Sequence, residues 1–132
     1  MTELKNYKMF IDGEWLDSDT HKTFETLNPE NNKPWARVPE ASASDVDKAV
    51  KAAHNAFEGE WSKLLPRDRA KFLRAIGNKL RENAELLGKI ETIDTGKLFR
   101  ETNKQAIYIA EYYDYYAGLA DKVEGTVLPI DK

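Results

Sequence analysis

The sequence predicts an α/β chain: a β-hairpin and short strands followed by four helices. Three observations carry that prediction. Asp12-Gly13 lies between the apolar-rich runs Met9-Phe10-Ile11 and Glu14-Trp15-Leu16. A short β-type run ends in the turn pair Asn28-Pro29. Beyond Pro39 the apolar residues change to helical spacing.

Asp-Gly between apolar runs is the strongest short hairpin signal, because both turn residues tolerate positive φ. The segment Thr23–Leu27 reads as a strand, ended at Asn28-Pro29 because proline holds its predecessor extended and asparagine nucleates turns. "WARVPE" supplies another strand. Next, "SASDVDKAVKAAHNAF" has Ser44 as the expected N-cap, with Asp47 three residues on as an acidic variant of the capping box. Apolar residues at 46, 49, 50, 53 and 57 make this helix amphipathic as far as Gly59.

A second helix is expected from Pro66 at its first turn, with Phe72, Leu73, Ile76 and Leu80 in one stripe. The third, from Asn83, is expected to bury Leu86, Leu87, Ile90 and Ile93 and to stop at Gly96 in a left-handed conformation. Thr95-Gly96-Lys97 is not a phosphate-binding loop: Glu91 stands where the first glycine belongs, and Leu98 where a Ser or Thr belongs. The fourth helix, Glu101 to Ala120, carries Tyr108, Tyr112, Tyr115 and Leu119 along one side, with Ile109, Tyr113, Tyr116 and Ala120 beside them. That apolar surface is wider than one stripe and calls for a further partner. "VEGTVLPIDK" reads as the start of a strand whose mate is missing.

Composition narrows the function. The 132 residues suffice for one ordinary domain, and a net charge of −3 without a basic patch disfavours nucleic acid. No apolar run approaches a membrane span, and "MTELKNYK" lacks the apolar core of a secretory signal, so a cytoplasmic location is expected. The chain has no cysteine and cannot itself supply a thiolate nucleophile. His54 shares a helical face with Asp47, Lys51 and Glu58 and reads as solvated, while His21 lies in a polar turn.

Taken in order, "FIDGEW", "TFETLNPENNKPWARVPEASASDVDKAVKAAHNAF", "ETIDTGK" and "YYAGLADKVEG…LPID" resemble the amino-terminal part of the NAD(P)-dependent aldehyde dehydrogenase superfamily. The resemblance covers essentially the whole chain. It implies the amino-terminal part of a cofactor-binding domain, incomplete without the rest of the enzyme: hairpin and strands over 1–40, helices over 41–122, and an incomplete strand over 123–132. It further implies oxidation of an aldehyde to a carboxylic acid with NAD or NADP, through a cysteine thiohemiacetal and a glutamate-activated water. Those catalytic groups and the Rossmann strands lie downstream in the family, so this chain is expected to be a fragment, inactive alone.

Two further expectations follow from the resemblance. A monovalent cation, Na⁺ or K⁺, matches the carbonyls of Thr26 and Leu27 and the side chain of Asp94. Tyr108 matches a position lining the substrate tunnel for a small aldehyde. Homo-oligomers are expected of the full-length enzyme, and self-association of the isolated segment. The alternative is a free-standing interaction module that docks through its aromatic fourth helix.

Overall fold

The computed structural model describes residues 4–130. Five strands come first: β1 (Lys5–Asn6), β2 (Met9–Ile11), β3 (Glu14–Leu16), β4 (Thr23–Asn28) and β5 (Lys33–Pro39). Strands β2 and β3 form the expected hairpin, with Phe10 opposite Trp15. Its turn residues Asp12 and Gly13 have φ of 53° and 84°, the geometry that matches the twist of paired strands. The other sheet has the order β1-β5-β4, with β1 parallel and β4 antiparallel to the central β5. Asn28 closes the β4–β5 turn: its side-chain oxygen accepts from the Glu30 N–H at 2.9 Å and its carbonyl from the Asn32 N–H at 2.7 Å.

The helices are α1 (Ala43–Glu58), a single turn α2 (Glu60–Lys63), α3 (Pro66–Glu82), α4 (Ala84–Thr95) and α5 (Phe99–Leu119). The four long helices are those expected from sequence, but two details differ. Helix α1 is capped by Ser42, not Ser44: the Ser42 hydroxyl accepts from the Asp45 N–H at 3.1 Å, and Asp45 accepts from the Ser42 N–H at 2.8 Å. Both serines have an aspartate three residues on. Only Asp45 is also met from outside the helix, by the Asp19 N–H at 3.2 Å and the Ser18 hydroxyl at 3.1 Å.

The second difference concerns the core. Leu86, Leu87 and Ile93, expected inside, are exposed, as are Phe72 and Ile76 of α3. The buried positions are instead small: Ala70, Gly77, Ala84, Gly88, Thr102, Ala106, Ala110 and Ala117. These helices meet backbone against backbone. A Cβ added at Gly88 would lie 2.8 Å from the Asn103 nitrogen, and one at Gly77 would lie 3.1 Å from the Ala110 carbonyl. Thr102 fills the α4–α5 seam and donates to the Gly88 carbonyl at 2.9 Å. Large apolar side chains are left on the outer faces, where periodicity alone had placed a core.

Helix α4 ends at Gly96 with φ 76°, the left-handed cap expected there. The strand expected over 123–132 is not formed between 123 and 130, where no described strand lies alongside to complete a ladder. Val123, Val127, Leu128 and Ile130 of this stretch are exposed, and residues 131–132 lie outside the described part. Among the described residues, no helix is long and apolar enough to cross a membrane.

Candidate functional site

Asp94 and Thr26 are 68 residues apart in sequence and in direct contact: the Thr26 hydroxyl donates to Asp94 Oδ1 at 2.6 Å. The Trp35 indole N–H reaches the same oxygen at 3.3 Å. The register of the sheet produces this convergence. Leu27 pairs with Pro34 and Thr26 with Ala36, which leaves Trp35 as an extra residue at a bulge. Proline cannot donate to a ladder and is tolerated at such irregularities, and a bulge re-aims the side chain beside it.

The Asp94 carboxylate sits in the last turn of α4, where the negative end of the helix dipole disfavours it. The two donors offset part of that cost. Tyr7 packs edge-on against Trp35 with ring centroids 6.1 Å apart, and a surface hollow of about 340 Å³ opens between these groups and Ile90.

The hard oxygen donors here suit a monovalent cation. Leu27 faces Pro34, which has no N–H to offer across the ladder, and all the hydrogen bonds given to Asp94 by described residues fall on Oδ1. Oδ2 is left for another partner. No group of three His, Cys, Asp or Glu side chains able to hold a metal occurs among the described residues, so carbonyls would have to supply the remaining ligands. Of these groups the family resemblance pointed to Thr26, Leu27 and Asp94; Trp35 was missed, and Pro34 was its only signal.

Tyr108 is 56% exposed on α5. Its hydroxyl is bonded to that of Tyr112 at 3.0 Å, and the two rings meet at 90° with centroids 5.0 Å apart. That hydrogen bond raises the Tyr112 phenol above its ordinary pKa. Glu111 and Tyr115 complete the lining of a shallow hollow. Tyr108 and the Asp94 cluster do not share a pocket. His54 is paired only with Glu58, at 3.3 Å on the exposed face of α1.

Comparison with known proteins decides the family. The profile of the Aldehyde dehydrogenase family matches residues 15–132. The chain belongs to the aldehyde dehydrogenase family. It is 42% identical over 130 residues to the (Z)-2-((N-methylformamido)methylene)-5-hydroxybutyrolactone dehydrogenase of Acinetobacter baylyi, covering 98% of this chain and 26% of that protein. An aldehyde dehydrogenase of Bacillus cereus superposes with a TM-score of 0.89 at 38% identity, over 97% of this chain and 26% of the other. A betaine aldehyde dehydrogenase of Staphylococcus aureus, solved in complex with NAD⁺, superposes with a TM-score of 0.86 at 40% identity, over 93% and 25%. The chain thus spans about a quarter of the length of these three relatives, as expected of an amino-terminal portion.

Proposed function

We propose that this chain serves as the amino-terminal part of the cofactor-binding domain in an enzyme that oxidises a small aldehyde to a carboxylic acid with NAD or NADP. The family match over residues 15–132, on a fold shared at a TM-score of 0.89, carries the proposal. NAD is favoured because the Staphylococcus aureus and Bacillus cereus relatives have both been solved with NAD⁺ bound. When bound to the complete enzyme, the cofactor would supply the hydride acceptor, and a cysteine from outside these 132 residues would supply the thiolate for the thiohemiacetal. With no cysteine among its 132 residues, this segment contributes scaffold and one tunnel wall. A cytoplasmic homo-oligomer is the expected setting of the whole enzyme.

The purified 132-residue chain is therefore expected to reduce no NAD⁺ or NADP⁺ when offered a panel of aliphatic and aromatic aldehydes. Reduction above a no-protein control, free of contaminating enzyme, would overturn this.

Within that enzyme, Asp94 and the carbonyls of Thr26 and Leu27 hold Na⁺ or K⁺, tying the turn at Asn28-Pro29 to the end of α4. The role is structural. In the full-length enzyme Asp94→Asn should abolish most of the K⁺ dependence of the thermal midpoint while changing the chemical step far less. The comparison is made at constant ionic strength with a bulky organic cation replacing K⁺, so that screening is not mistaken for binding. Identical responses of the parent and Asp94→Asn would remove the cation assignment.

A further inference from the structure

The Asp94 carboxylate has one oxygen held and one left over. Both donors meet Oδ1, the Thr26 hydroxyl at 2.6 Å and the Trp35 indole N–H at 3.3 Å. They come from different strands, β4 and β5. A carboxylate tied by one hydrogen bond can still swing about it, whereas two donors from different strands fix its plane. Oδ2 is then presented in one direction. Groups that orient a ligating carboxylate in this way govern how tightly it holds an ion.

Trp35 is itself held. It stands at the bulge as the extra residue between the partners of Thr26 and Leu27. The Tyr7 ring meets it edge-on, with planes at 76°. The Tyr7 N–H donates to the Arg37 carbonyl at 2.9 Å where β1 runs parallel to β5, and the Lys5 ammonium lies 4.6 Å from the centre of the Tyr7 ring. A path of contacts thus runs from β1 through two aromatic rings to the carboxylate. A ring that only filled space would have no need to aim its N–H at a charge.

We propose that Trp35, backed by Tyr7, is a positioning residue for the monovalent cation: it orients Asp94 and so raises the affinity for K⁺ without touching the ion. The proposal rests on the cation assignment at Thr26, Leu27 and Asp94. It adds to that assignment two residues and a dependence on the amino-terminal strand.

The test follows the thermal midpoint of the full-length enzyme as K⁺ replaces a bulky organic cation at constant ionic strength. The midpoint rises once K⁺ exceeds its dissociation constant, so the K⁺ concentration at the onset of the rise reports affinity, while the midpoint without K⁺ reports packing. Trp35→Phe keeps a ring and removes the N–H; its onset should move to at least about threefold higher K⁺. Thr26→Val keeps the carbonyl but loses the shorter bond, and should move the onset about tenfold or more. Tyr7→Leu should shift it in the same direction as Trp35→Phe, by less. Val38→Ala, which trims an apolar wall of the same hollow, should lower the midpoint at every K⁺ concentration and leave the onset in place. An unchanged or lower onset in folded Trp35→Phe overturns the positioning role and leaves the cation site standing. If Trp35→Phe does not fold, Tyr7→Leu decides the matter by the same criterion. A parent enzyme whose midpoint does not rise with K⁺ removes the cation assignment, and this role with it.

Discussion

Helices α1 and α4 are both amphipathic in sequence, yet they are fastened to the molecule in different ways. Helix α4 is held along its length, through Gly88 and Ala84, with the α5 backbone close enough that a methyl group would collide. Helix α1 touches strand β2 through its middle, but its one buried anchor is at its start. Its Val46, Val50 and Phe57 are exposed, Phe57 by 68%, and its only buried residue is Asp45. That carboxylate joins the helix start to the loop after β3 through Ser18 and Asp19, with the Lys48–Asp19 pair at 2.5 Å alongside. Close packing of small residues yields a seam that tolerates no added atom. A polar clasp yields an attachment governed by protonation.

The largest effect should come from filling the seam. Gly88→Ala places a Cβ against the Asn103 backbone, which cannot step aside as a side chain would, and should cost about 3 kcal/mol. Gly77→Ala meets the Ala110 carbonyl at 3.1 Å and should cost less. Urea midpoints followed by helical dichroism rank the two; a Gly88→Ala midpoint equal to that of the parent would mean that the seam is loose.

The clasp should fail with acid. Asp45 is 2% exposed, and its pKa is lowered from 3.8 to about 2. The Ser42 N–H is the largest cause; burial opposes it, and the Ser42 hydroxyl, Asp19 N–H and Ser18 hydroxyl add to the lowering. A carboxylate whose pKa is depressed by folding stabilises the fold above its unfolded value and loses that contribution as pH falls through the folded value. The contribution is therefore complete above about pH 4 and gone near pH 2. Asp45→Asn should lower the thermal midpoint at neutral pH, with the two midpoints converging as pH falls through that window. Parallel curves would show that the carboxylate charge does not matter.

The smallest effect belongs to the exposed face of α1. The pair of His54 with Glu58 is solvated on both sides, so His54→Ala should leave the urea midpoint unchanged within error. A clear loss would mean that α1 is anchored along its length after all.

The same contrast explains what the sequence revealed. Local chemistry was legible: Asp12-Gly13, Asn28-Pro29 and Gly96 each dictate a backbone conformation without outside help, and each is found where expected. The choice of Ser42 over Ser44 was not, because two serines offered the same spacing and the partner that separates them, Asp19, lies 26 residues before Asp45. Nor was the buried face of α4, since Leu86, Leu87 and Ile93 outweigh Ala84 and Gly88 in any count of hydrophobicity. At the candidate cation site the resemblance supplied Thr26, Leu27 and Asp94. Trp35 emerged only with the bulge that Pro34 accompanies.

The parallel pairing of β1 with β5 has a consequence for how such enzymes diversify. Lys5 and Asn6 lie beside Ala36 and Arg37, and the Tyr7 N–H reaches the Arg37 carbonyl at 2.9 Å, so the chain is pinned before the hairpin begins. The β2–β3 hairpin is a side excursion with its own two-stranded sheet, absent from the ladder that holds Thr26 and Trp35. Its tip at Asp12-Gly13 can therefore gain or lose residues at a cost that grows only slowly with length, about 0.6 kcal/mol per doubling, without shifting the register behind it. Evolution has there a place to vary this segment while Asp94 and its donors stay in place.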